Sequence, residues 1–134
     1  MPKVYLNPPE LFPSQQYGFS QIVVSRGGAL VHLSGQVAWD ADEQIGGTGD
    51  LAAQTRRALA NVEMAVRAAG GTRDDIVSLR LYIVSTQLGQ GRIIREALLA
   101  FFDSKRLPVS TWIGVVALAN PDFLIEIEAA AVID

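Results

Sequence analysis

The sequence has no cysteine and a single histidine, His32. The first absence excludes disulfides, thiolate nucleophiles, CxxC redox pairs, cysteine zinc sites and cysteine-ligated iron–sulfur clusters, and it suits a reducing compartment. The second leaves no group of histidines for a metal shell and no histidine pair for phosphodiester chemistry. Positive charge is also scarce. The 11 Lys and Arg stand against 14 Asp and Glu, a net charge of −3, so there is no broad electrostatic grip on nucleic acid or on an anionic membrane. Long apolar runs are missing as well: stretches such as 113–119 fall far short of the roughly 20 residues of a bilayer crossing. The opening Met1-Pro2-Lys3, soon followed by Asn7-Pro8-Pro9-Glu10, has no signal-peptide core. No GxGxxG or GxxxxGK(S/T) phosphate cradle occurs. The expectation is a soluble, cytoplasmic chain without a metal.

What is abundant is aliphatic material. At 49% hydrophobic and 19% charged, the 134 residues can bury about two-thirds of their extended-chain surface around one core, so 1–134 reads as a single domain. After a short strand near 4–6, Pro8, Pro9 and Pro13 interrupt regular pairing. Residues 20–26 and 29–34 are β-branched runs flanking Gly27-Gly28, a hairpin signal. Asp40, Asp42 and Glu43 belong to a solvated surface connection over 40–50. Asp50 then caps a helix whose apolar stripe runs through Leu51, Thr55, Leu59, Val62 and Val66 and stops at Gly70-Gly71.

Residues 77–84 alternate Val77, Leu79, Leu81 and Ile83 with Ser78, Arg80 and Tyr82, the pattern of a strand with one buried face. A second helix lies within 88–104, and two further strands, 109–118 and 123–133, are joined by the turn Ala119-Asn120-Pro121-Asp122. The order β-β-α-β-α-β-β describes an α+β sandwich with two helices packed on one sheet face. The other face poses a problem, because Glu126 and Glu128 share it with Ala130 and Val132. Small and apolar groups on both sides of the terminal strand suggest that the uncovered face packs against another copy of the chain. The bland alternative is a strand whose two acids sit at its wet end.

Several segments are recognisable as a set. Tyr17-Gly18-Phe19-Ser20-Gln21, Ser34-Gly35-Gln36-Val37, the helix QTRRALANVEMAVRAAG over 54–70, Asp74-Asp75-Ile76-Val77 and Ile125-Glu126-Ile127-Glu128-Ala129 together resemble the Rid family, also called YjgF/YER057c/UK114. The resemblance covers nearly the whole chain. It implies a chorismate-mutase-like α+β fold, assembly as a homotrimer with clefts between subunits, and hydrolysis of 2-imino or enamino metabolites without a cofactor. It also implies an arginine, two residues after the proline that begins the fourth major strand, as a bidentate clamp for the substrate carboxylate. Here that stretch reads Leu107-Pro108-Val109-Ser110-Thr111-Trp112, so Ser110 stands in the clamp's place with neither charge nor fork.

By the same resemblance Glu126 is the candidate catalytic residue, positioning water or exchanging a proton, and its alternative is a structural acid satisfied by a neighbouring donor. Phe19, Ser34, Gly35, Ser110 and Thr111 are candidate substrate-binding residues, with the Gly35 N–H and the hydroxyls meeting a polar group and Phe19 retaining an apolar wall. Tyr17, Trp39, Arg92, Arg95, Trp112 and Glu128 complete the candidate pocket, Arg92 or Arg95 being the replacement clamp to weigh against simple helix solvation. Tryptophans in such places serve as core or interface residues more often than as pocket walls, and His32, among apolar neighbours, reads as an ordinary strand histidine. Two functions stand: a divergent RidA-like hydrolytic deaminase of a reactive imine or enamine, and a noncatalytic trimer that binds or senses a small-molecule metabolite. RNA cleavage is disfavoured for want of a basic aromatic stripe.

Overall fold

Apolar alternation builds the strands, and in the computed structural model, which describes residues 2–134, they sort into two sheets. β1 (Val4–Leu6) and β2 (Ile22–Val24) pair antiparallel as a small separate unit. β3 (Ala29–Gln36), β4 (Ile76–Val84), β5 (Val109–Val115) and β6 (Ile125–Ile133) form a four-stranded sheet in the order β3-β6-β4-β5. β6 runs antiparallel to both of its neighbours, while β4 and β5 are parallel. The parallel pair is connected through α2 (Gly91–Phe101), and α1 (Leu51–Ala68) connects β3 to β4.

The two helices share one face of the sheet. Leu59, Val62 and Val66 of α1 and Ile94 and Leu98 of α2 pack into one buried cluster with Leu79, Leu81 and Ile83 of β4 and Ile125 and Ile127 of β6. Each such side chain contributes about 1.5–3 kcal/mol by leaving water. Asp50 caps α1 as expected, its Oδ1 accepting from the Ala53 N–H at 3.1 Å, a device worth about 1 kcal/mol. Arg73 ties the outer layer together: it donates to both Glu63 oxygens at 2.6 and 2.9 Å and to the Phe101 carbonyl at 2.6 Å, and lies 4.2 Å from the Phe101 ring centroid.

Two expectations are corrected. The Gly27-Gly28 turn exists, with φ of 65° and 76°, yet β2 and β3 form no ladder: β2 pairs with β1 and β3 with β6. The glycines instead turn the chain against the end of β6, where a Cβ on Gly28 would stand 2.8 Å from the Ile133 carbonyl. The second helix, Gly91–Phe101, lies within 88–104 as expected and follows a 3-10 turn over Ser85–Gln90. β6 starts at Ile125, since the Leu124 N–H donates to Gln54 Oε1 at 2.9 Å. Gln54 is fully buried and also donates to the carbonyls of Gly47 and Asp122, at 3.2 and 2.9 Å, so one helix residue anchors both loops beside the open end of the sheet. No helix among the described residues is long and apolar enough to cross a membrane.

Candidate functional site

The site begins with an irregularity in β3. Leu33 faces Ala129 and Gln36 faces Ile127, so a bulge at Ser34-Gly35 sets extra backbone against β6. The bulge lets Glu126 fold its carboxylate directly over Gly35: a Cβ there would lie 2.8 Å from Glu126 Cδ and 2.9 Å from Cγ, closer than atoms pack. A larger residue at 35 would require the Glu126 side chain to swing aside. Glu126 is half-buried and makes no hydrogen bond or ion pair among the described residues, leaving its oxygens for a ligand or water.

Two adjoining clefts meet at this carboxylate. The larger, about 470 Å³, is walled by Gly35, Val37, Trp39, Asn120, Phe123 and Glu126. The smaller, about 230 Å³, is bounded by Gly35, Tyr82, Leu118, Glu126 and Glu128. Trp39 and Phe123 pack edge to face at 4.9 Å and 78°, and the Trp39 Nε1 is buried without a partner. Asn61 fixes the tryptophan's backbone by donating to the Val37 and Trp39 carbonyls, each at 2.8 Å. Tyr82, directly opposite Glu126 on β4, donates its hydroxyl to Glu128 Oε1 at 2.9 Å. The Asp40 loop beside the cleft is held by its own carboxylate. Backbone N–H donors, that of Gln44 first and then Asp42, hold the Asp40 carboxyl below the usual range.

Of the residues expected from sequence, Gly35, Trp39, Glu126 and Glu128 come together here. Ser34 is exposed on the bulge beside them, and Thr111 is exposed at the sheet edge, in one row with Arg80 and Glu128. The others lie elsewhere in the same chain. Ser110 aligns with Leu79 and Ala129, which places it on the helix-covered face, and its Oγ is buried without a partner. Trp112 follows on that face, packed on the core and against Gly91.

Tyr17 and Phe19 cluster with Phe12, at ring distances of 6.5 and 6.0 Å, on a loop whose Gly18 presses on Leu98 of α2. Arg92 is exposed and spends its Nε–H on Glu96 at 3.0 Å. Arg95 sits beside Gly18 on α2. Neither arginine belongs to the strand face that carries Glu126. Asn61, Phe123, Asn120 and Tyr82 were not singled out from sequence. Asn61 carried a faint signal, being a poor helix former inside α1. His32 is exposed on β3 and stands outside the buried cluster.

Comparison with known proteins agrees with this fold. The profile of the family described as Endoribonuclease L-PSP matches residues 11–133. A Rid-family protein of unknown function from Yersinia pestis is 40% identical, with a TM-score of 0.94 over 99% of this chain and 100% of that one. A YjgF/YER057c/UK114 member from Mycobacterium tuberculosis is 32% identical, with a TM-score of 0.67 over 98% and 100%. The YjgF gene product of E. coli is 31% identical, with a TM-score of 0.68 over 81% and 84%. A profile match over most of the chain and a full-length relative at 40% identity establish that the chain belongs to the Rid family, YjgF/YER057c/UK114.

Proposed function

We propose that this chain works as a cytoplasmic homotrimer that hydrolyses a reactive imine or enamine metabolite at a cleft completed by a neighbouring subunit, with Glu126 placing the attacking water. One observation carries the reading: a half-buried carboxylate, free of any partner among the described residues, stands over Gly35 where two clefts meet. As the water oxygen bonds to the C=N carbon, its proton passes to Glu126 and then to nitrogen. The hydroxyl proton of the resulting carbinolamine then follows to nitrogen by way of Glu126 as the C–N bond breaks, releasing ammonia and leaving a carbonyl. Membership in a family broadly implicated in handling reactive imines supports the same chemistry. The split of the expected residues supports the subunit cleft. Tyr17 and Phe19 lie away from Glu126 within one chain, and a second copy against the open sheet face would bring such groups together.

A noncatalytic binding trimer is the second reading, favoured by Ser110, which stands where the family's arginine is expected and turns its hydroxyl toward the helix layer. Although the family profile is described as an endoribonuclease, RNA cleavage is not proposed for a chain of net charge −3 with one histidine. The deciding experiment is Glu126→Gln, assayed for loss of freshly generated imine while light scattering reads mass. Both proteins should show about three times 14.4 kDa, and the variant should lose turnover by about 10²-fold or more. Unchanged kcat and kcat/KM in a trimeric variant would transfer the assignment to binding.

A further inference from the structure

The four strands of the main sheet contain one Lys or Arg, which is Arg80, and two acids, Glu126 and Glu128. All three project to the uncovered face, because the alternation that buries Leu79, Leu81 and Ile127 turns them outward. Arg80 lies directly opposite Glu128. No ion pair joins the two, and Glu128 instead receives the Tyr82 hydroxyl at 2.9 Å. The Arg80 guanidinium thus has no protein partner among the described residues.

It borders a depression of about 240 Å³ whose floor is Ala130 and whose walls include His32, Ser78 and Glu128. His32 and Ser78 both face Ala130 from the flanking strands, so an imidazole, a hydroxyl and a free guanidinium converge over one small residue. This depression shares Glu128 with the cleft that holds Glu126, and the two form one continuous trough.

We infer that Arg80 is a specificity-determining residue that binds the distal acidic group of an elongated, doubly anionic substrate, with His32 and Ser78 as additional donors. The inference rests on the imine-hydrolase reading for the word substrate, but the anion site itself does not. Two observations set the ligand class. Arg80 is the one Lys or Arg among the residues lining the trough, so an acidic group entering beside Glu126 and Glu128 finds its attraction at the guanidinium. Arg80 stands one row from the Tyr82–Glu126 pair, about 7 Å along the strand. An anion on the guanidinium therefore lies several bonds from a carbon poised over Glu126. A dicarboxylate-derived imine spans that gap, whereas the single carboxylate of a short 2-imino acid is bonded directly to the reacting carbon.

The test compares 2-iminoglutarate with 2-iminobutanoate, both generated in situ, on wild type, Arg80→Gln and Arg80→Lys, with 2-oxoglutarate binding measured by calorimetry on the same trimeric preparations. Wild type should favour the dicarboxylate by about tenfold in kcat/KM, the preference residing in KM. Arg80→Gln should abolish that preference and weaken 2-oxoglutarate binding by about tenfold, with Arg80→Lys in between because it keeps charge without the fork. Equal losses on both substrates, no change in preference, or no 2-oxoglutarate binding by wild type would overturn the assignment. If no imine is turned over but 2-oxoglutarate binds through Arg80, the hydrolase reading fails while the anion site stands. If Arg80→Gln dissociates the trimer, Arg80→Lys decides: an unchanged preference and affinity in that variant make Arg80 an interface residue and overturn the inference.

Discussion

The two faces of the four-stranded sheet are made by the same strands and obey opposite rules. On the helix-covered face, Leu79, Leu81, Ile83, Ile125 and Ile127 are sealed under α1 and α2. On the other, Arg80, Tyr82, Glu126, Glu128, His32 and Ala130 line open clefts, and the chemistry-bearing side chains stand within two residues of the most apolar ones. The contrast teaches that burial on one face supplies the rigidity that positions groups on the other. Glu126 is fixed between Ile125 and Ile127, neither of which has any exposure, so its backbone cannot shift without opening the core. Ser110 and Trp112, both expected in the pocket, fall on the sealed face, where they bear on packing within a protomer.

Cutting into the sealed face should have the largest effect. Leu81→Ala removes a fully buried side chain at the centre of the cluster and should cost about 2–5 kcal/mol in urea unfolding. A loss under about 1 kcal/mol would mean the helices hold the sheet less tightly than described. Gly35→Ala probes the open face by pushing a methyl into the Glu126 carboxylate. It should cost under about 1 kcal/mol, because the end of a flexible side chain can swing aside, while displacing that carboxylate should reduce turnover. Full activity in the alanine variant would show that the carboxylate is free to work from another position.

Ser110→Ala sharpens the comparison. Because the Oγ is buried without a partner, its removal should leave stability unchanged or raise it by up to about 1 kcal/mol. A large rise in KM instead would assign the hydroxyl to a cleft formed with a neighbouring subunit. The smallest effect is expected on the outer surface of the helix layer. Hydrogen bonds from Arg73, then its charge and that of Arg67, hold the Glu63 carboxyl below its ordinary value of 4.5. The stabilisation this gives is present above the unfolded value and disappears as pH falls through the lower folded one. Glu63→Gln should therefore cost about 1 kcal/mol or less at pH 7 and progressively less as pH falls below 4.5, read from paired denaturation curves.

Much of the fold was legible because it rests on local rules. The alternation in β4 and β6, the Asp50 cap and the α1 stripe gave elements that differ from those observed by a few residues at their ends. The hairpin was misread for a reason local rules do not contain: Gly27-Gly28 makes the turn that the sequence signals, but β3 finds a longer partner in β6. Within the site, the Ser34-Gly35-Gln36 and Glu126-Ile127-Glu128 segments were recognisable, and the structure explains why they go together. The Glu126 carboxylate occupies the space that a side chain at Gly35 would take. Asn61, Phe123 and Tyr82 stayed hidden, since each acts through a contact made by a distant part of the chain.

By itself, then, the sequence determined which residues are apolar, at what period, and where the backbone turns, and these dictated an α+β sheet with helices on one side. It also determined that Ser110 brings no charge to the position where a clamp is expected. Only the tertiary structure decided which face each strand residue joined, because a register is a relation between strands and a single residue of slip reverses it. That register set Arg80 opposite Glu128, put Ser110 in line with Leu79, and left Glu126 above Gly35.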